Sequence, residues 1–401
     1  MRLPATPGTW QSGVMASPES PDPMLRRNLH ILMAGIATVG LQALMLSPML
    51  TDIMHALAAG PAEVGVAAGS HGFGVAASAF LAAPKLDTWP KRRSLQLAFL
   101  VMSAALALCG LAWSWPVLVV GQFLIGAAGG IVIPGTYALA AELSAESYRT
   151  QALGRVVLGW SVALCAGVPL SAFLTDAMGW RTTFLYVAGL ALAACLAYRL
   201  LPAGRPTGEA RRVSYRQAVA APDALVFLAA TFAFMFAFYA TYSFLGDHLR
   251  TLHAAGAWLG GLVAMSYGAG FGFGTVFDAR INRSGPRRMV GPALLAIGLN
   301  YLILPLAAHN LVTAVLYAFV WGVAAHLAMT SLVVSLSLSP PAVRGAVIAL
   351  FSVITYLAQG VAGFLMGALY AARGFEAVSF TASAGAFVLA AIVLMRRRAS
   401  G

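Results

Sequence analysis

The chain has 401 residues, of which 60% are hydrophobic and only 9% are charged. Soluble domains carry about 25% charged residues, so a water-soluble protein of this length could not cover its surface with so few. This composition excludes a soluble enzyme, a disordered protein and a disulfide scaffold, and it predicts an integral membrane protein. The three cysteines lie inside apolar runs, where we expect them to pack as small hydrophobic residues without a metal or a disulfide.

A spanning helix needs about 20 apolar residues, and runs of about this length follow one another along most of the chain. Their length and their content of Leu, Ala and Gly favour helices over the shorter, alternating strands of a membrane barrel. We therefore predict an all-α integral membrane fold with twelve transmembrane helices. The predicted spans are 29–50, 63–84, 94–112, 115–140, 152–175, 181–201, 223–246, 256–278, 287–307, 309–337, 343–367 and 375–395.

The basic residues orient these predicted helices. With both termini placed in the cytoplasm, all of the 25 Lys and Arg residues except Arg181, Arg250 and Arg373 fall on the cytoplasmic side. Such an asymmetry is what the positive-inside rule produces. It accounts for the net charge of +12 without a nucleic-acid partner, and the bacterial inner membrane is the expected location.

A polar segment rich in Pro, Gly and Arg follows the sixth predicted span. It predicts a cytoplasmic linker at 202–222 between an N-terminal six-helix half (28–201) and a C-terminal six-helix half (223–398). Residues 1–27 are rich in Pro and Ser and are expected to form a disordered cytoplasmic tail.

One loop occurs in both predicted halves. The segment 83–93 after the second span aligns with the segment 278–288 after the eighth span, at a constant offset of 195 residues. Repetition at half the chain length is typical of transporters that are built from parallel structural repeats. The aligned pairs are Lys85 with Arg280, Asp87 with Asn282, Pro90 with Gly285, Arg92 with Arg287 and Arg93 with Arg288.

At these residues the sequence resembles the major facilitator superfamily. The segment 83–93 is similar to that family's signature G-x-L-x-D-R-x-G-R-R/K, with Asp87, Lys91 and Arg92 at matching positions. The resemblance implies two six-helix repeats, alternating access and a monomer. Further similarity to the family's drug and metabolite exporters lies at the end of span one, in span five and at the start of span six, in the segments 47–52, 167–169 and 179–184.

The cytoplasmic loops are predicted to carry a gate. An acidic residue near a helix end and paired basic residues can make contacts that exist only when the cytoplasmic side is closed, and such contacts would favour the outward-facing state. The family resemblance implies the same role. The alternative is that the basic residues only hold the loops in the cytoplasm. The candidate gating residues are Asp87, Lys91, Arg92, Arg93, Asn282, Arg287 and Arg288.

Two histidines are the candidates for proton coupling. No Asp or Glu lies near the middle of a predicted span, so the titratable candidates at depth are His71 in span two and His326 in span ten. Histidine gains and loses a proton near neutral pH, which suits a proton carrier. The alternative is a neutral histidine bonded to a backbone carbonyl on a packed helix face.

Hydrogen-bonding and aromatic side chains in the predicted spans are the candidates for a substrate cavity. In the family that the sequence resembles, the first, fourth, seventh and tenth helices line this cavity. Aromatic walls with a few hydrogen-bonding groups suit a mid-sized, partly apolar organic molecule. The cavity candidates are Gln42, Gln122, Tyr239, Trp321, Tyr356 and Gln359, and the hinge and packing candidates are Pro48, Gly126, Gly167 and Pro169.

We expect a secondary transporter in the lipid bilayer that exports small organic compounds, drugs or metabolites, by proton antiport. The alternative is a proton-coupled uptake permease for a small nutrient, because gradients and coupling rather than the fold set the direction. A nucleotide-driven pump is disfavoured because the sequence lacks the G-x-x-x-x-G-K-[ST] loop, and no cofactor or metal is expected. A membrane enzyme is disfavoured because neither histidine is expected to have an acidic partner at depth.

Overall fold

The computed structural model describes residues 22–82, 88–203 and 215–399, and these residues form helices and turns without a strand. The all-α fold class predicted from the sequence is confirmed. The helices are α1 (Pro23–Leu44), α2 (Leu46–Leu57), α3 (Pro61–Ala82), α4 (Lys91–Gly110), α5 (Trp115–Leu143), α6 (Arg149–Val162), α7 (Val168–Met178), α8 (Trp180–Ala197), α9 (Tyr215–Val219), α10 (Ala224–His253), α11 (Ala257–Phe273), α12 (Asp278–Ser284), α13 (Pro286–Ala308), α14 (Leu311–Ser337) and α15 (Pro341–Ala399).

These helices account for twelve spans. Among the described residues, ten helical stretches are long and apolar enough to cross a membrane, or eleven if the bent pair α1 and α2 is one span. That count takes α15 as a single helix, although Gly374 has a positive φ of 74° and interrupts it. Each part of α15 is long enough for its own crossing, so the chain has the predicted twelve-helix architecture.

Two helix boundaries differ from the prediction in ways that matter for the site. The seventh span was expected to end at residue 246, but α10 continues to His253. The eighth span was expected to end at residue 278, but α11 continues through a 3-10 turn into α12, which ends at Ser284. Asp247 and Asp278 therefore lie inside helices rather than beyond their ends.

Two spans are broken where a proline removes a backbone donor. Helices α1 and α2 meet at an angle of 46°, next to Pro48, which has no N–H to offer the carbonyl of Leu44. In span five a π-helical turn over Ala163–Gly167 separates α6 from α7, and Pro169 follows it at the start of α7. Loss of a helical hydrogen bond at proline is an ordinary cause of such kinks.

The two halves repeat the same helix contacts. In each half a serine hydroxyl of the second span donates to a carbonyl at the start of the fourth, and a glycine of the second span packs on the backbone of the fourth. The equivalent pairs are offset by 196 residues throughout, so the sequence repeat in the loops belongs to a structural repeat. These pairs are Ser70–Val119 with Ser266–Val315, and Gly74–Phe123 with Gly270–Phe319.

Backbone contact between glycines joins the halves along α3 and α15. A Cβ atom on any of six glycines would collide with backbone atoms of the facing helix or with an aromatic side chain on it. Close approach of helices at small residues is typical of membrane bundles. The six are Gly65, Gly69 and Gly72 on α3, and Gly360, Gly363 and Gly367 on α15.

The bundle has two chemically different ends. We call the end at which α1 begins the basic end; α4 and α13 also begin there, with Lys91 and Arg287 near their first residues. The opposite end is where α2 and α10 finish, and it carries Asp52, Asp176 and Arg250.

Candidate functional site

Uncharged polar side chains from several spans meet near the middle of the bundle. Gln42 of α1 places Nε2 3.2 Å from Nε2 of His71 on α3. Gln359 of α15 reaches the same imidazole from the other half. Gln122 of α5 and Tyr239 of α10 line the adjoining cavity with them. Five residues that the sequence singled out are thus brought together, and we call them the central cluster.

Polar atoms of the central cluster are buried without partners. The Oε1 atoms of Gln42 and Gln359 and Nδ1 of His71 accept or donate no hydrogen bond in the described part of the chain. An unsatisfied buried polar atom costs about 1–3 kcal/mol. The adjoining cavity is about 20 Å³, which is room for one water molecule. Unpaired buried atoms of this kind are candidates for hydrogen bonds with a ligand or with a buried water molecule.

Ionic contacts close the opposite end above this cavity. The guanidinium of Arg250 on α10 donates to both carboxylate oxygens of Asp52 on α2, at 2.5 and 3.2 Å. Asp247, the buried carboxylate on α10, accepts from Thr51 of α2 at 2.7 Å and from Tyr370 of α15 at 2.6 Å. Three spans from the two halves are therefore joined around two carboxylates.

A second closure involves α7 and α11. The carboxylate of Asp176 near the end of α7 accepts from the backbone N–H groups of Ala257 and Trp258, at 2.7 and 2.8 Å. These N–H groups lie in the first turn of α11, where a helix lacks internal acceptors and favours negative charge. A side chain of the N-terminal half thus caps a helix of the C-terminal half.

The bend of span one belongs to the same closure. The carbonyl of Leu44, which Pro48 cannot engage, accepts from the hydroxyl of Tyr242 at 3.2 Å. Ser47 donates to the Tyr242 carbonyl at 2.5 Å, and Arg250 donates to the Pro48 carbonyl at 3.1 Å. The predicted hinge proline therefore lies where the two halves are joined.

At the basic end the described pairs of three gating candidates lie within one half. Lys91 pairs with Glu142 at 3.1 Å, Arg287 pairs with Asp223 at 3.4 Å, and Arg92 donates to the carbonyl of Leu201. Three further candidates are exposed on the surface, namely Arg93, Asn282 and Arg288. Asp87 lies outside the described residues, so its gating role stays a prediction.

His326 lies apart from the central cluster and has an acidic partner. Its Nε2 is 2.8 Å from Oδ1 of Asp278 and 3.2 Å from the hydroxyl of Thr330. The expectation that neither histidine has a carboxylate at depth is therefore wrong for His326. The reason is that the eighth span continues as a helix beyond Asp278, so this carboxylate lies beside α14. Gly274, which has no side chain, allows the His326 imidazole on α14 to pack closely against the eighth span.

Two cavity candidates do not line the central cavity. Trp321 is fully buried inside the C-terminal half, where its indole N–H donates to the hydroxyl of Tyr301 at 3.2 Å. It packs edge-on against Tyr267, so it is a core residue here. Tyr356 is half-buried and lies outside the cavity lining, although its carbonyl lies against Gly72.

The packing candidates lie at helix contacts beside the site. Gly126 of α5 lies against the backbone of His71, and Gly167 lies against Leu41 of α1. Pro169 lies against Gly261 of α11, so it also contacts the other half. Sequence reasoning missed the contacts of Arg250, Asp52 and Asp247, although an opposite-end arginine among acidic residues was a visible signal.

Comparisons with known proteins agree with this architecture. The family model of the Major Facilitator Superfamily matches residues 32–281. The uncharacterized MFS-type transporter YwfA of Bacillus subtilis is 28% identical over 383 residues, which are 92% of this chain and 93% of that protein. A chloramphenicol resistance protein of Streptomyces lividans is 31% identical over 183 residues, 45% of this chain and 47% of that protein.

The solved structures include a protein of the same fold. A bacterial homologue of the human lysosomal transporter Spinster, in an inward-facing and occupied conformation, superposes with a TM-score of 0.80. It is 15% identical, and the alignment covers 94% of this chain and 98% of that one. At this identity the likeness shows the fold alone.

Proposed function

Because the chain belongs to the Major Facilitator Superfamily, a family of membrane transporters, we propose that it exports small organic compounds by proton antiport and alternating access. One observation carries the proposal: the described polar contacts between the halves lie at the opposite end or at the central cluster. A buried polar site that is closed from one side is what alternating access requires.

We place the basic end in the cytoplasm, in the bacterial inner membrane, because loops rich in Lys and Arg stay on that side. In this orientation the structure corresponds to an inward-facing state.

The basic loops are the proposed cytoplasmic gate. In the state described here, Lys91 and Arg287 are paired inside their own halves. When the cytoplasmic side closes, the first turns of α4 and α13, which carry Arg93 and Arg288, would approach each other, and Asp87 of the first signature is the proposed acidic partner. New contacts between them would then stabilise the outward-facing state.

His71 and His326 remain the proposed proton carriers. The pair of His326 and Asp278 is a buried imidazole beside a half-exposed carboxylate, so it can take a proton from the basic end without leaving an unpaired buried charge. His71 lies in the central cluster, where the substrate is expected to bind.

Export is favoured over uptake by two observations. One relative is a chloramphenicol resistance protein, and the segments around Pro48 and Pro169 resemble those of exporters. A proton-coupled uptake permease for a nutrient is the second candidate, because the same fold and the same closure serve both directions.

Accumulation of labelled compounds in cells tests the direction and the driving force. The panel includes chloramphenicol and is measured with and without the protein, and with and without a protonophore. Lower accumulation that the protonophore reverses supports proton-driven export. Higher accumulation that the protonophore abolishes would identify an uptake permease, and no change for any compound would contradict export of this class.

His326→Gln tests proton coupling through the second histidine. In vesicles this variant should lose gradient-driven transport, while exchange of labelled for unlabelled substrate continues. His30→Gln, a change at an exposed histidine of α1, is the matched control and should keep both. Equal loss of both activities in His326→Gln would assign the histidine to folding or substrate binding instead.

A further inference from the structure

A groove runs between α1 and α8, starting at the basic end of the bundle. Its volume is about 670 Å³, which is the size of a site for a whole organic molecule. Small side chains create it, because α1 contributes Ala34 and α8 contributes Ala193, Ala194 and Ala197. Ala34 and Ala193 are exposed, so the groove opens at the surface of the bundle. We call it the α1–α8 groove.

Two arginines lie at the mouth of the α1–α8 groove. Arg26 and Arg27 of α1 line it, and both are exposed. Arg27 donates to the carbonyl of Leu200, in the turn that follows α8, at 3.4 Å, which holds its guanidinium between the two spans. Neither arginine has an ion pair in the described part of the chain. A guanidinium has five N–H donors, so both retain donors for an anion.

The carboxylate that precedes these arginines has another role. Asp22 is the N-cap of α1, where its side chain accepts from the backbone N–H of Met24 at 3.2 Å. Further positive charge lies at the same end of span six, since Arg199 is exposed in the turn after α8. The mouth of the groove is therefore a basic surface.

The inner part of the α1–α8 groove is apolar. From Ile31 inward its described lining is aliphatic except for Thr38, and the Thr38 hydroxyl donates to the carbonyl of Ala34 at 3.0 Å. Arg27 and Thr38 lie eleven residues apart, which is about 17 Å along a helix. Half of the hydrocarbon core of a membrane is about 15 Å, so the groove is as deep as one leaflet.

We propose that the α1–α8 groove binds an anionic phospholipid, whose phosphate is held by Arg26 and Arg27 and whose acyl chain lies along Ala34 and Ala193. A basic mouth that continues into an apolar channel of one leaflet's depth matches the two parts of such a molecule. Basic pockets between spans on the cytoplasmic side of a membrane are typical sites for anionic headgroups.

This lipid site is separate from the proposed function. The described lining of the groove shares no residue with the central cavity, so the lipid acts as a bound component of the bundle and not as cargo. It joins α1 to α8, and a ligand that binds only the folded state stabilises that state. Transport and lipid binding can therefore fail or succeed independently.

Native mass spectrometry of the full-length protein, purified and delipidated in detergent, tests the proposal. The probes are dioleoyl phosphatidylglycerol, which is anionic; dioleoyl phosphatidylcholine, which has the same chains and no net charge; and glycerol 1-phosphate, which has the phosphate and no chain. We expect one phosphatidylglycerol to bind and to raise Tm. The other two probes should each bind at least tenfold more weakly.

A charge variant tests the mouth of the groove. Arg26→Gln combined with Arg27→Gln should weaken phosphatidylglycerol binding about thirtyfold, because each basic residue near an anionic lipid strengthens binding about fivefold. Arg280→Gln combined with Arg283→Gln is the matched control. It removes the same charge from exposed positions of α12 at the basic end of the other half, and it should leave the affinity unchanged.

A second variant tests the channel without a change of charge. Ala34→Leu fills the groove and should weaken phosphatidylglycerol binding about tenfold, the equivalent of about two buried CH₂ groups. Ala104→Leu, at an exposed position of α4 outside the groove, is its matched control and should have no effect. Gel filtration checks that each variant is folded.

Four results would overturn the proposal. They are the absence of saturable phosphatidylglycerol binding, equal binding of phosphatidylcholine, equal binding of glycerol 1-phosphate, and variants that behave like their matched controls. Equal binding of glycerol 1-phosphate would identify a site for a free anion and not for a lipid. Because none of these measurements involves transport, they do not bear on proton-driven export.

Discussion

Removal of the guanidinium in Arg250→Gln should open the opposite end of the bundle. Arg250 makes two charge-assisted hydrogen bonds to Asp52 and a third bond to the carbonyl of Pro48. The Asp52 side chain is 33% exposed and that of Arg250 is 12% exposed, so solvent screens part of the attraction. We expect a loss of about 1.5 kcal/mol, which is roughly a tenfold shift toward the state open at this end.

The shift is measured by spin labels on the two sides of the opposite end. Trp113 lies in the loop between α4 and α5, Val312 lies in the first turn of α14, and both side chains are exposed, by 74% and 65%. Labels on cysteines at these two positions, in a chain whose three cysteines are replaced by alanine, report the separation of the halves by pulsed electron resonance. Arg250→Gln should increase the population at long distance.

A matched arginine makes this prediction specific. Arg181 is at the same end, but it donates to the carbonyl of Ala112 within its own half. Arg181→Gln should leave the distance distribution unchanged. If it produced the same shift as Arg250→Gln, or if Arg250→Gln produced none, the contact with Asp52 would not hold the halves together and the reasoning would be refuted.

Three further changes test single contacts. Gly69→Ala should abolish transport or lower Tm by several degrees, because its Cβ would lie 2.6 Å from a carbonyl oxygen on α15, whereas Gly189→Ala, with no neighbour within 4 Å, should do neither. Trp321→Phe should destabilise the protein by about 1 kcal/mol through loss of its bond to Tyr301, as measured by thermal melting, without a change in the ligand dissociation constant. Asp176→Ala removes the cap of α11 and should shift the spin-label distances as Arg250→Gln does, since a lost cap costs about 1 kcal/mol.

The spans were predictable because burial in lipid imposes a length and a composition on every helix. The two prolines also marked real breaks, since proline removes a donor wherever a helix contains it. The predicted helix boundaries were wrong where a carboxylate was interpreted as the end of a span. Asp247 does not end α10, because Thr51 and Tyr370 satisfy its oxygens, and no pattern within α10 itself indicates those partners.

The sequence predicted that uncharged polar side chains form the candidate site, but it identified only some of the residues that do so. Gln42, His71, Gln122 and Gln359 are polar residues in apolar runs, where an unpaired polar group is costly and therefore informative. Trp321 was assigned to the cavity on its type and span, yet its face of α14 turns toward Tyr301. Which side of a helix faces the core depends on residues that are distant in sequence. The glycine contact of α3 with α15 depends on such distant residues too.

The glycine contact and the polar closure together constrain how the halves can move. Along α3 and α15 six glycines bring the two helix backbones together and leave few side chains to interlock, so rotation of one half against the other requires few rotamer changes. The difference between the two end states then depends on a small number of polar contacts, each with a net contribution of about 0.5–1.5 kcal/mol, or about 1.5–3 kcal/mol where one partner is charged.

The total strength of the polar contacts at the opposite end determines how strong the contacts at the basic end must be. The closure at the opposite end includes the contacts of Asp52, Asp176, Asp247 and Tyr242, and a bias of about 5.5 kcal/mol already corresponds to a population ratio of about 10⁴ between two states. A transporter that visited the other state so rarely would turn over slowly. The proposed cytoplasmic gate would therefore have to supply contacts of similar total strength when the basic end closes, and the exposed gating candidates in the first turns of α4 and α13 are the groups proposed to make them.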